Sequence, residues 1–440
     1  MNNQTTIFDV LYPKYEIKKP IRLIEFFAGY GSQALALKYL GVEFEHWKIC
    51  EWAVKSIQAY KDIHFTDEEA ILVGLDKEQE IERLYKQGIS SNYNEPMTKQ
   101  QIQRLSLEQI YRITENNLIT HNLVNIQNVK GEDLEIVDTD KYDYILTYSF
   151  PCQDLSLAGK GKGMSDTSTR SGLLWEVERI LTECKKLGTL PQILLMENVP
   201  QVHGSDNVED FNKWQLKLEE LGYKNYWQDL IATDYGIPQT RNRCFMISIL
   251  GDYNYTFPKP IHLKLKLKDM LEDDVDDKYY LSDKMLEYMM SESSGGLSRK
   301  EMFERNFKEN KEVAATITTC AGNRASDNYI KIKNATKQGY LEATDGDGID
   351  LTQPNSETRR GRVQKEQIQT LTTQNNLGVV NNMRIRKLTP RECFRLMGVK
   401  DKDFEKVAKN QSDSSLYHLA GDSIVVNVLM AIFKEVIKSE

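Results

Sequence analysis

A short buried strand, a glycine-rich turn, a helix and a second strand constrain the fold of this chain more than any other feature. The first strand is predicted over Ile21-Arg-Leu-Ile-Glu-Phe-Phe27 and the turn over Ala28-Gly-Tyr-Gly-Ser32. The helix follows over residues 33–40 and ends at Gly41, and the second strand covers residues 44–50. This order is typical of a doubly wound α/β domain, in which ligands bind at the carboxyl ends of the strands.

The same rhythm of strands and helices returns later in the chain. Strands are predicted over 143–148, 191–196 and 242–249, and helices over 172–181 and 210–221. A polar segment at about 61–125 has helical spacing and is interpreted as a helical insertion. From Leu388 the chain is again predicted to be helical, because Thr389-Pro-Arg-Glu392 is a strong helix start.

The composition changes near Tyr255, where prolines and an acidic stretch precede a region rich in Thr, Asn and Gly with short β-like runs. We therefore predict a Rossmann-like α/β domain formed by residues 1–254 and 383–440, and a second, smaller, irregular, β-containing domain over 255–382. Thr316-Ile-Thr-Thr319 and Thr370-Leu-Thr-Thr373 resemble each other faintly. Chance, paired hairpins and a true repeat explain that echo equally well.

Composition excludes several classes of protein. No apolar run of about 18 residues occurs, so no membrane span is expected, and the N-terminus lacks the pattern of a secretion signal. The six cysteines form no CxxC pair, which indicates neither a disulfide framework nor a metal site and favours the cytoplasm. The net charge of −8 argues mildly against nucleic acid. However, residues 296–390 contain 16 Lys and Arg against 11 Asp and Glu, a weak signal for a polyanion-binding face.

The glycine turn and a later acidic residue point to a ligand that contains a nucleoside. Gly29, Gly31 and Ala34 fit G-x-G-x-x-A directly after a strand, where glycines let a ligand approach the backbone. Glu51 ends the next strand, at the position that commonly binds ribose hydroxyls, and Trp52 beside it could stack on an adenine. The pattern does not distinguish NAD from S-adenosylmethionine, and the glycines could serve only a tight turn.

Chemically distinctive residues follow three other predicted strands. Cys152 follows a strand and enters a Gly- and Ser-rich loop, Glu197 follows the apolar run QILLM, and Arg241 and Arg243 enter a strand two residues apart. Each has an ordinary explanation, such as a core thiol, a loop carboxylate or a solvated strand start. Together they supply a nucleophile, an acid and a group that stabilises an anion at one edge of the sheet.

The order of motifs resembles the DNA (cytosine-5)-methyltransferase family, over almost the whole chain. The matching blocks are, in order, FAGYGS, EW, SFPCQDLS, TRSGLLWE, MENVP, QTRNR, RKLTPRECFRLMG and AGDSIVV. The amino-acid sequence of the cysteine block and of the helix after it is similar to that of the prokaryotic and mycoplasma-type CpG methyltransferases. The resemblance implies an S-adenosylmethionine-dependent methyltransferase domain with a target-recognition domain over 255–382, without a metal.

The resemblance assigns roles to the catalytic residues. Cys152 would be the thiolate nucleophile that adds to C6 of a flipped cytosine. Glu197 would hold and protonate N3, with Asn198 ordering its loop. Arg241 and Arg243 would bind the base O2 and stabilise developing charge.

The resemblance also implies cofactor and DNA contacts. The cofactor set is Phe27, Gly29, Gly31, Glu51, Trp52, Asp133 (for the adenine amine), Pro151, Asp422 and Ser423. The family usually has Asn where this chain has Asp422, which adds a carboxylate near a cationic cofactor. The DNA set is Ser156, Lys160 and Lys162 in a closing loop, Arg359, Arg360 and Arg362 for phosphates, and Thr370-Leu371 as the family's Thr-Leu dipeptide, with Thr316-Ile317 as its rival.

Three alternatives remain at this point. A relative that methylates cytosine in RNA is disfavoured by the long variable region, because sequence reading needs a sizeable recognition domain. A catalytically silent DNA-binding regulator is disfavoured by the complete set of catalytic residues. An NAD oxidoreductase rests on the glycine turn alone. We expect a monomer acting on double-stranded DNA in the cytoplasm of a prokaryotic cell.

Overall fold

A six-stranded sheet forms the centre of the molecule. The structure is a computed structural model, and it describes residues 13–70, 76–151, 171–280, 330–333, 340–353, 356, 358–374, 376–381 and 384–437. The strands of the sheet are β1 (Ile21–Phe26), β2 (Phe44–Cys50), β3 (Asp143–Tyr148), β4 (Ile193–Asn198), β5 (Tyr223–Ile231) and β6 (Asn242–Leu250). Their spatial order is β2-β1-β3-β4-β6-β5.

The sheet is parallel on one side and antiparallel on the other. Strands β2, β1, β3 and β4 are parallel, whereas β6 runs antiparallel between β4 and β5. Because β6 is reversed, its first residues lie beside the last residues of β4, with Asn198 opposite Cys244. The start of β6 and the ends of β1 to β4 therefore share one edge of the sheet.

Helices cover both faces of this sheet, and each face has its own hydrophobic core. Alternate residues of a strand point to opposite faces, so in β1 Leu23 belongs to one core and Ile24 to the other. The first core contains side chains of α1 (Ser32–Leu40) and of the C-terminal helices. The second contains α6 (Leu174–Leu187) and α7 (Val208–Leu221). This doubly wound arrangement confirms the predicted fold class.

Most predicted elements occur within a few residues of their expected ends, but β5 is not among them. The helix predicted over 172–181 continues to Leu187, where Gly188 in the left-handed conformation ends it. Strand β5 was missed because its sequence, YKNYWQDLI, mixes polar and aromatic residues without clear alternation. It lies at the edge of the sheet, where one side of a strand needs no partner.

The polar segment after β2 contains helices with a small core of their own. Helix α2 (Val54–His64) is followed by α3 (Lys77–Gln87), α4 (Lys99–Gln103) and α5 (Leu107–Ile119). Helices α4 and α5 both begin with a capping box. The core of this insertion is built from Ile81, Leu84, Ile89, Met97, Ile102, Ile110, Ile113 and Val124, and Trp52 packs against it.

The second region carries two small antiparallel sheets. One pairs β7 (Ile330–Lys333) with β8 (Tyr340–Ala343). The other has the order β10-β9-β11-β12, with β9 at Gly348–Asp350, β10 at Val363–Gln364, β11 at Leu377–Asn381 and β12 at Arg384–Lys387. The predicted boundary at 382/383 therefore falls inside the β11–β12 hairpin, and this sheet continues to Lys387.

Four helices complete the described chain. They are α8 (Pro390–Leu396), α9 (Asp401–Ala408), α10 (Asp413–Asp422) and α11 (Val426–Lys434). Helix α8 begins at the predicted capping box of Thr389 and Glu392. The stretch Asp413–Lys434 is long and apolar enough for a membrane span by length and composition. It is divided into α10 and α11, and most of it is buried in the first core, as core helices commonly are.

Candidate active site

A cavity of about 450 Å³ opens at the edge of the sheet where the strand ends meet. This volume lies in the range of small-molecule binding sites. Many of the residues predicted from the sequence line it, namely Phe27, Gly29, Glu51, Trp52, Pro151, Glu197, Arg241, Arg243, Asp422 and Ser423. They come from five strand ends and from the break between α10 and α11, so the topology brings together residues that are far apart in sequence.

The glycine turn forms one side of the cavity. Phe27 and Gly29 both have positive φ, at 56° and 55°. Gly31 does not line the cavity. Its φ is 80°, and a Cβ there would lie 2.4 Å from Nε2 of His64 and 2.6 Å from Cε2 of Tyr60. Gly31 therefore allows α1 to pack closely on α2, and its predicted cofactor contact stays a prediction.

Glu51 is held at the end of β2 by main-chain donors. Its Oε2 accepts from Gly29 N at 3.0 Å and its Oε1 from Ala53 N at 2.8 Å. Asn122 fixes the main chain of Glu51 from the other side. Burial raises the pKa of Glu51 to about 7, and the nearby charge of Asp422 acts in the same direction. A buried carboxyl that faces a cavity with lone pairs to offer can accept hydrogen bonds from the hydroxyls of a ligand.

Asp133 is not brought to the cavity. Its Oδ2 accepts from Lys130 N at 2.8 Å within the 3₁₀ turn Gly131–Leu134. The wall expected from Asp133 is formed instead by Asn125, Ile126 and Gln127. The sequence reasoning missed these residues, and the one local signal for them is the Asn at the start of a short turn, where Asn125 Oδ1 accepts from Gln127 N.

Glu197 and Arg243 form an ion pair that opens on the cavity. Arg243 Nε lies 3.1 Å from Glu197 Oε1, and the two side chains are only 16% and 10% exposed. Burial raises the pKa of Glu197, while the positive charges of Arg243 and Arg241 act against that rise. The pKa remains above its usual value, so this carboxyl can hold a proton more readily than an exposed glutamate.

Arg241 lies at the same cavity but uses its guanidinium differently. Nη1 donates to the carbonyl of Leu371 at 3.0 Å, and Nη2 donates to those of Gly421 and Ser423 at 3.1 and 2.7 Å. These bonds connect the start of β6, the second region and the last motif. The structure thus shows Arg241 as a clamp between chain segments, and its predicted contact with the base stays a prediction.

The last motif closes another side of the cavity. Ser423 Oγ accepts from the Tyr30 hydroxyl at 2.8 Å and donates to the Ala420 carbonyl at 2.9 Å. The Asp422 side chain is 54% exposed and its Oδ2 lies 2.9 Å from His418 Nε2. The motif therefore presents one fixed hydroxyl and one half-exposed carboxylate next to the cavity.

The nucleophile segment begins where the described chain stops. Cys152, Ser156, Lys160 and Lys162 lie outside the described residues. The strand that leads to them is fixed, because Asn198 Nδ2 donates to the Phe150 carbonyl at 3.0 Å while its Oδ1 accepts from Val199 N at 2.8 Å. Asn198 thus ties the end of β4 to the residues just before Cys152.

The arginines of the second region have three different environments. Arg359 pairs with Asp350 at 3.0 Å, and Arg360 is exposed. Arg362 is only 1% exposed, and its Nη2 donates to the Gln353 carbonyl at 2.6 Å. A buried guanidinium cannot reach a DNA phosphate, so the expectation for Arg362 is wrong.

The predicted Thr-Leu dipeptide lies next to the start of β6. Thr370 is half-buried and Leu371 is buried, and Leu371 N donates to Gln239 Oε1 at 2.9 Å. With the bond from Arg241 to its carbonyl, Leu371 is fixed to the start of β6 on both sides. The rival dipeptide, Thr316-Ile317, lies outside the described residues.

The other thiols of the described chain are sequestered. Cys50, Cys184, Cys244 and Cys393 are free and buried. Burial raises the pKa of each of these four thiols, which suppresses the reactive thiolate form. Cys244 lies near His203 and Asp229, whose side chains already pair with each other at 2.9 Å.

Known proteins resemble this chain over most of its length. Residues 86–438 match the family model of the C-5 cytosine-specific DNA methylases. The chain is 33% identical over 433 residues to the type II methyltransferase M2.ScrFI of Lactococcus lactis subsp. cremoris, with 96% of this chain and 100% of that protein covered. It is 31% identical over 427 residues to the orphan methyltransferase M.SssI of Spiroplasma monobiae, covering 95% and 97%.

The fold also resembles a solved structure. The S. pombe Dnmt2 methyltransferase superposes with a TM-score of 0.50 at 15% identity, covering 94% of this chain and 97% of that one. Such low identity supports the fold alone. The family match and the long alignments to its curated relatives are what decide the identity, and they agree with a cavity lined by the predicted motif residues. The chain belongs to the C-5 cytosine-specific DNA methylase family and is a DNA (cytosine-5)-methyltransferase.

Proposed function

We propose that this methyltransferase binds S-adenosylmethionine in the strand-end cavity and methylates a cytosine in double-stranded DNA, with Cys152 as the nucleophile. One observation carries the proposal. The Glu197–Arg243 pair opens on the same cavity as Glu51 and as Pro151, the residue before Cys152. An acid, a cation and the approach to a thiol therefore share one space with the residues suited to a nucleoside.

The cavity suits the proposed cofactor. Glu51 can accept from ribose hydroxyls, Phe27 and Trp52 offer aromatic surface, and Gly29 lets a ligand lie close to the backbone. Asn125 replaces Asp133 in the proposed set, because it lines the cavity and has an amide that can contact a base edge. When bound, S-adenosylmethionine supplies a methyl group activated by a sulfonium.

The side chains of this enzyme prepare the cytosine for that methyl group. The Cys152 thiolate adds to C6, which breaks the aromaticity of the ring and makes C5 nucleophilic. Glu197, whose pKa is raised by burial, protonates N3 as the thiolate adds. After methylation, a solvent base takes the C5 proton and the thiolate leaves C6 as the C5–C6 double bond re-forms. N3 then returns its proton to the Glu197 carboxylate, which restores the neutral ring and the acid.

Arg243 supplies the electrostatic part of catalysis in this proposal. Its side chain faces Glu197 and the cavity, so it can keep Glu197 in position and stabilise charge on the base O2. Arg241 acts as a positioning residue, because its guanidinium holds the carbonyls of Leu371, Gly421 and Ser423. Losing Arg241 would disturb the cofactor wall and the second region together.

The second region, from about residue 255 to Lys387, would read the target sequence. The target cytosine is buried in a duplex and must be flipped out to reach the cavity. The loop with Ser156, Lys160 and Lys162 would contact that DNA. Arg360, which is exposed, would contact a phosphate from the second region. We propose a monomer acting in the cytoplasm of a prokaryotic cell, with light scattering of the purified chain as the test of the monomer.

The decisive experiment measures transfer of radiolabelled methyl groups to duplex DNA by Cys152→Ala and by the matched control Cys184→Ala. Cys184 is a cysteine of the described chain that is buried and does not line the cavity. We expect no transfer by Cys152→Ala with DNA binding retained, and near-normal transfer by Cys184→Ala. Full activity of Cys152→Ala would refute the mechanism.

Two further experiments test the assigned nucleophile and the assigned substrate separately. Duplex DNA with 5-fluorocytosine at the target should trap a covalent adduct on Cys152, because fluorine cannot leave C5 as a proton does. An adduct on another cysteine would contradict the assignment. Transfer RNA serves as the rival substrate, and faster transfer to it than to duplex DNA would move the proposal to the RNA-methylating alternative.

A further inference from the structure

The helical insertion reaches into the cavity through the loop between α3 and α4. Tyr93, Asn94, Glu95 and Pro96 of this loop line the same cavity as Glu51. Nothing in the sequence pattern of the insertion indicated such a position. The insertion is therefore part of the wall of the proposed cofactor site.

The loop is built to hold this position. Ser90 N donates to the Trp52 carbonyl at 2.7 Å, and Val54 N donates to the Ser90 carbonyl at 2.9 Å, so the base of the loop is fixed to the end of β2. Asn92 Oδ1 accepts from the main-chain nitrogens of residues 94 and 95, at 3.0 and 3.2 Å. These bonds make the turn that directs Tyr93 toward the cavity.

Tyr93 has a conformation that a bulky residue rarely adopts. Its φ is 64°, which is unfavourable for a residue with a Cβ and persists only where the surroundings impose it. Its hydroxyl is buried, with Ser56 and Ser415 as neighbours. The backbone is thus held in a left-handed conformation that directs the tyrosine side chain inward.

The ring of Tyr93 packs against His418 of helix α10. Its centroid lies 3.7 Å from that of the His418 ring, with 33° between the planes. His418 Nε2 lies 2.9 Å from Asp422 Oδ2, and all three residues line the cavity. The contact joins the insertion to helix α10, two segments that form different walls of one cavity.

We propose that Tyr93 is a cofactor-binding residue, and that its contact with His418 encloses an adenosine-containing sulfonium cofactor and slows the release of that cofactor and of its product. This inference rests on the proposed function. A preformed wall reduces the ordering that binding requires. From the typical contribution of an aromatic contact, we expect its loss to weaken binding by roughly tenfold.

The test is calorimetric titration of the full chain with S-adenosylhomocysteine, without DNA. Tyr93→Ala removes the ring, Tyr93→Phe keeps it, and Tyr85→Ala is a matched control from the same insertion, 46% exposed and away from the cavity. We expect Kd to rise roughly tenfold in Tyr93→Ala. Tyr93→Phe should stay within about twofold of wild type, and Tyr85→Ala should be unchanged.

A kinetic readout separates binding from a general structural effect. In Tyr93→Ala the KM for S-adenosylmethionine should rise while kcat at saturating cofactor stays close to wild type. Wild-type affinity in a folded Tyr93→Ala would overturn the inference. If Tyr93→Ala does not fold, His418→Ala removes the same contact from the other wall and is judged by the same criterion. A wild-type chain that binds no S-adenosylhomocysteine would refute the proposed function itself.

Discussion

Two buried pairs of arginine and glutamate in this molecule have opposite designs. Glu392, in α8, accepts Arg386 through both oxygens, at 2.7 and 2.8 Å, and each oxygen also accepts a main-chain N–H, from residues 272 and 389. Both of these side chains are fully buried. Glu197 Oε1 lies 3.1 Å from Arg243 Nε, beside a cavity.

The difference shows how a buried charge can be recognised as structural or functional. Four donors fill the hydrogen-bonding positions of the Glu392 carboxylate, so it has little capacity for a ligand. Glu197 keeps capacity toward the cavity, and burial raises its pKa. An incompletely coordinated buried carboxyl at the carboxyl end of a strand is a candidate for catalysis.

Exchanging the Glu197 carboxyl for an amide should give the largest effect. We expect Glu197→Gln to reduce methyl transfer by about 10³-fold, since the amide cannot protonate N3, with little change in the free energy of unfolding. The measurement is single-turnover methyl transfer with a urea melt of the same preparation. An active Glu197→Gln enzyme would remove Glu197 from the mechanism.

In the Glu392–Arg386 pair, a substitution should lower the stability of the fold instead of the rate of methyl transfer. Arg386→Met leaves Glu392 buried without its cation, and breaking one side of a buried pair costs roughly 3–5 kcal/mol of stability. Arg243→Met, the matched change at the cavity, should cost less stability because its partner can be reached by solvent, yet lose far more activity. Equal losses of stability in the two variants would remove the distinction between the pairs.

The topology explains why the proximity of Glu197 and Arg243 could be predicted from sequence. Glu197 lies next to the end of β4 and Arg243 next to the start of β6, and the reversed direction of β6 brings these two positions together. Any doubly wound sheet directs strand-end residues to one edge, so short motifs after strands are informative. Asn198 and Glu51 follow the same rule.

Several residue positions that do not follow from the strand-end rule could not be predicted from the sequence. Tyr93 comes from a loop inside an insertion, and its position depends on bonds to the end of β2. The burial of Arg362 and the three carbonyls bound by Arg241 depend on packing between distant segments. Asp133 and Asn125 begin or occupy neighbouring short turns, and only their three-dimensional placement tells them apart.

A third buried carboxyl, Glu51, accepts hydrogen bonds from main-chain N–H groups and has no cationic partner among the described residues. It therefore tests how burial without an ion pair changes the pKa of a carboxyl. Its pKa in the folded chain is about 7, above its unfolded value. The stabilisation linked to its bound proton is therefore complete at pH values below the unfolded pKa, and is lost as the pH rises through about 7. Glu51→Gln lacks this loss, so relative to wild type it should gain roughly 3 kcal/mol between about pH 4.5 and pH 8.

The quantity to measure is how the difference in unfolding free energy between Glu51→Gln and wild type changes with pH. The absolute difference is less informative, because the amide introduced at this position places its NH₂ group against one main-chain N–H donor at every pH. Glu25 has a pKa of about 7 as well, but it is present in both proteins, so its contribution cancels in the difference. Urea melts of the cofactor-free chain at several pH values measure the slope. A difference that stays constant with pH would contradict the raised pKa of Glu51.

The smallest effect is expected at Asp422, an exposed carboxylate at the cavity. S-adenosylmethionine carries a sulfonium charge that S-adenosylhomocysteine lacks, so a carboxylate nearby favours the substrate cofactor over the product. Asp422 is 54% exposed and also pairs with His418, so solvent screens its field and the gain is about 1 kcal/mol or less. Asp422→Asn should reduce the ratio of the Kd of the product to that of the cofactor by about two- to fivefold at low salt, and the change should shrink at 0.5 M salt, roughly as screening predicts. An unchanged ratio at low salt would mean that Asp422 serves only to hold His418 against Tyr93.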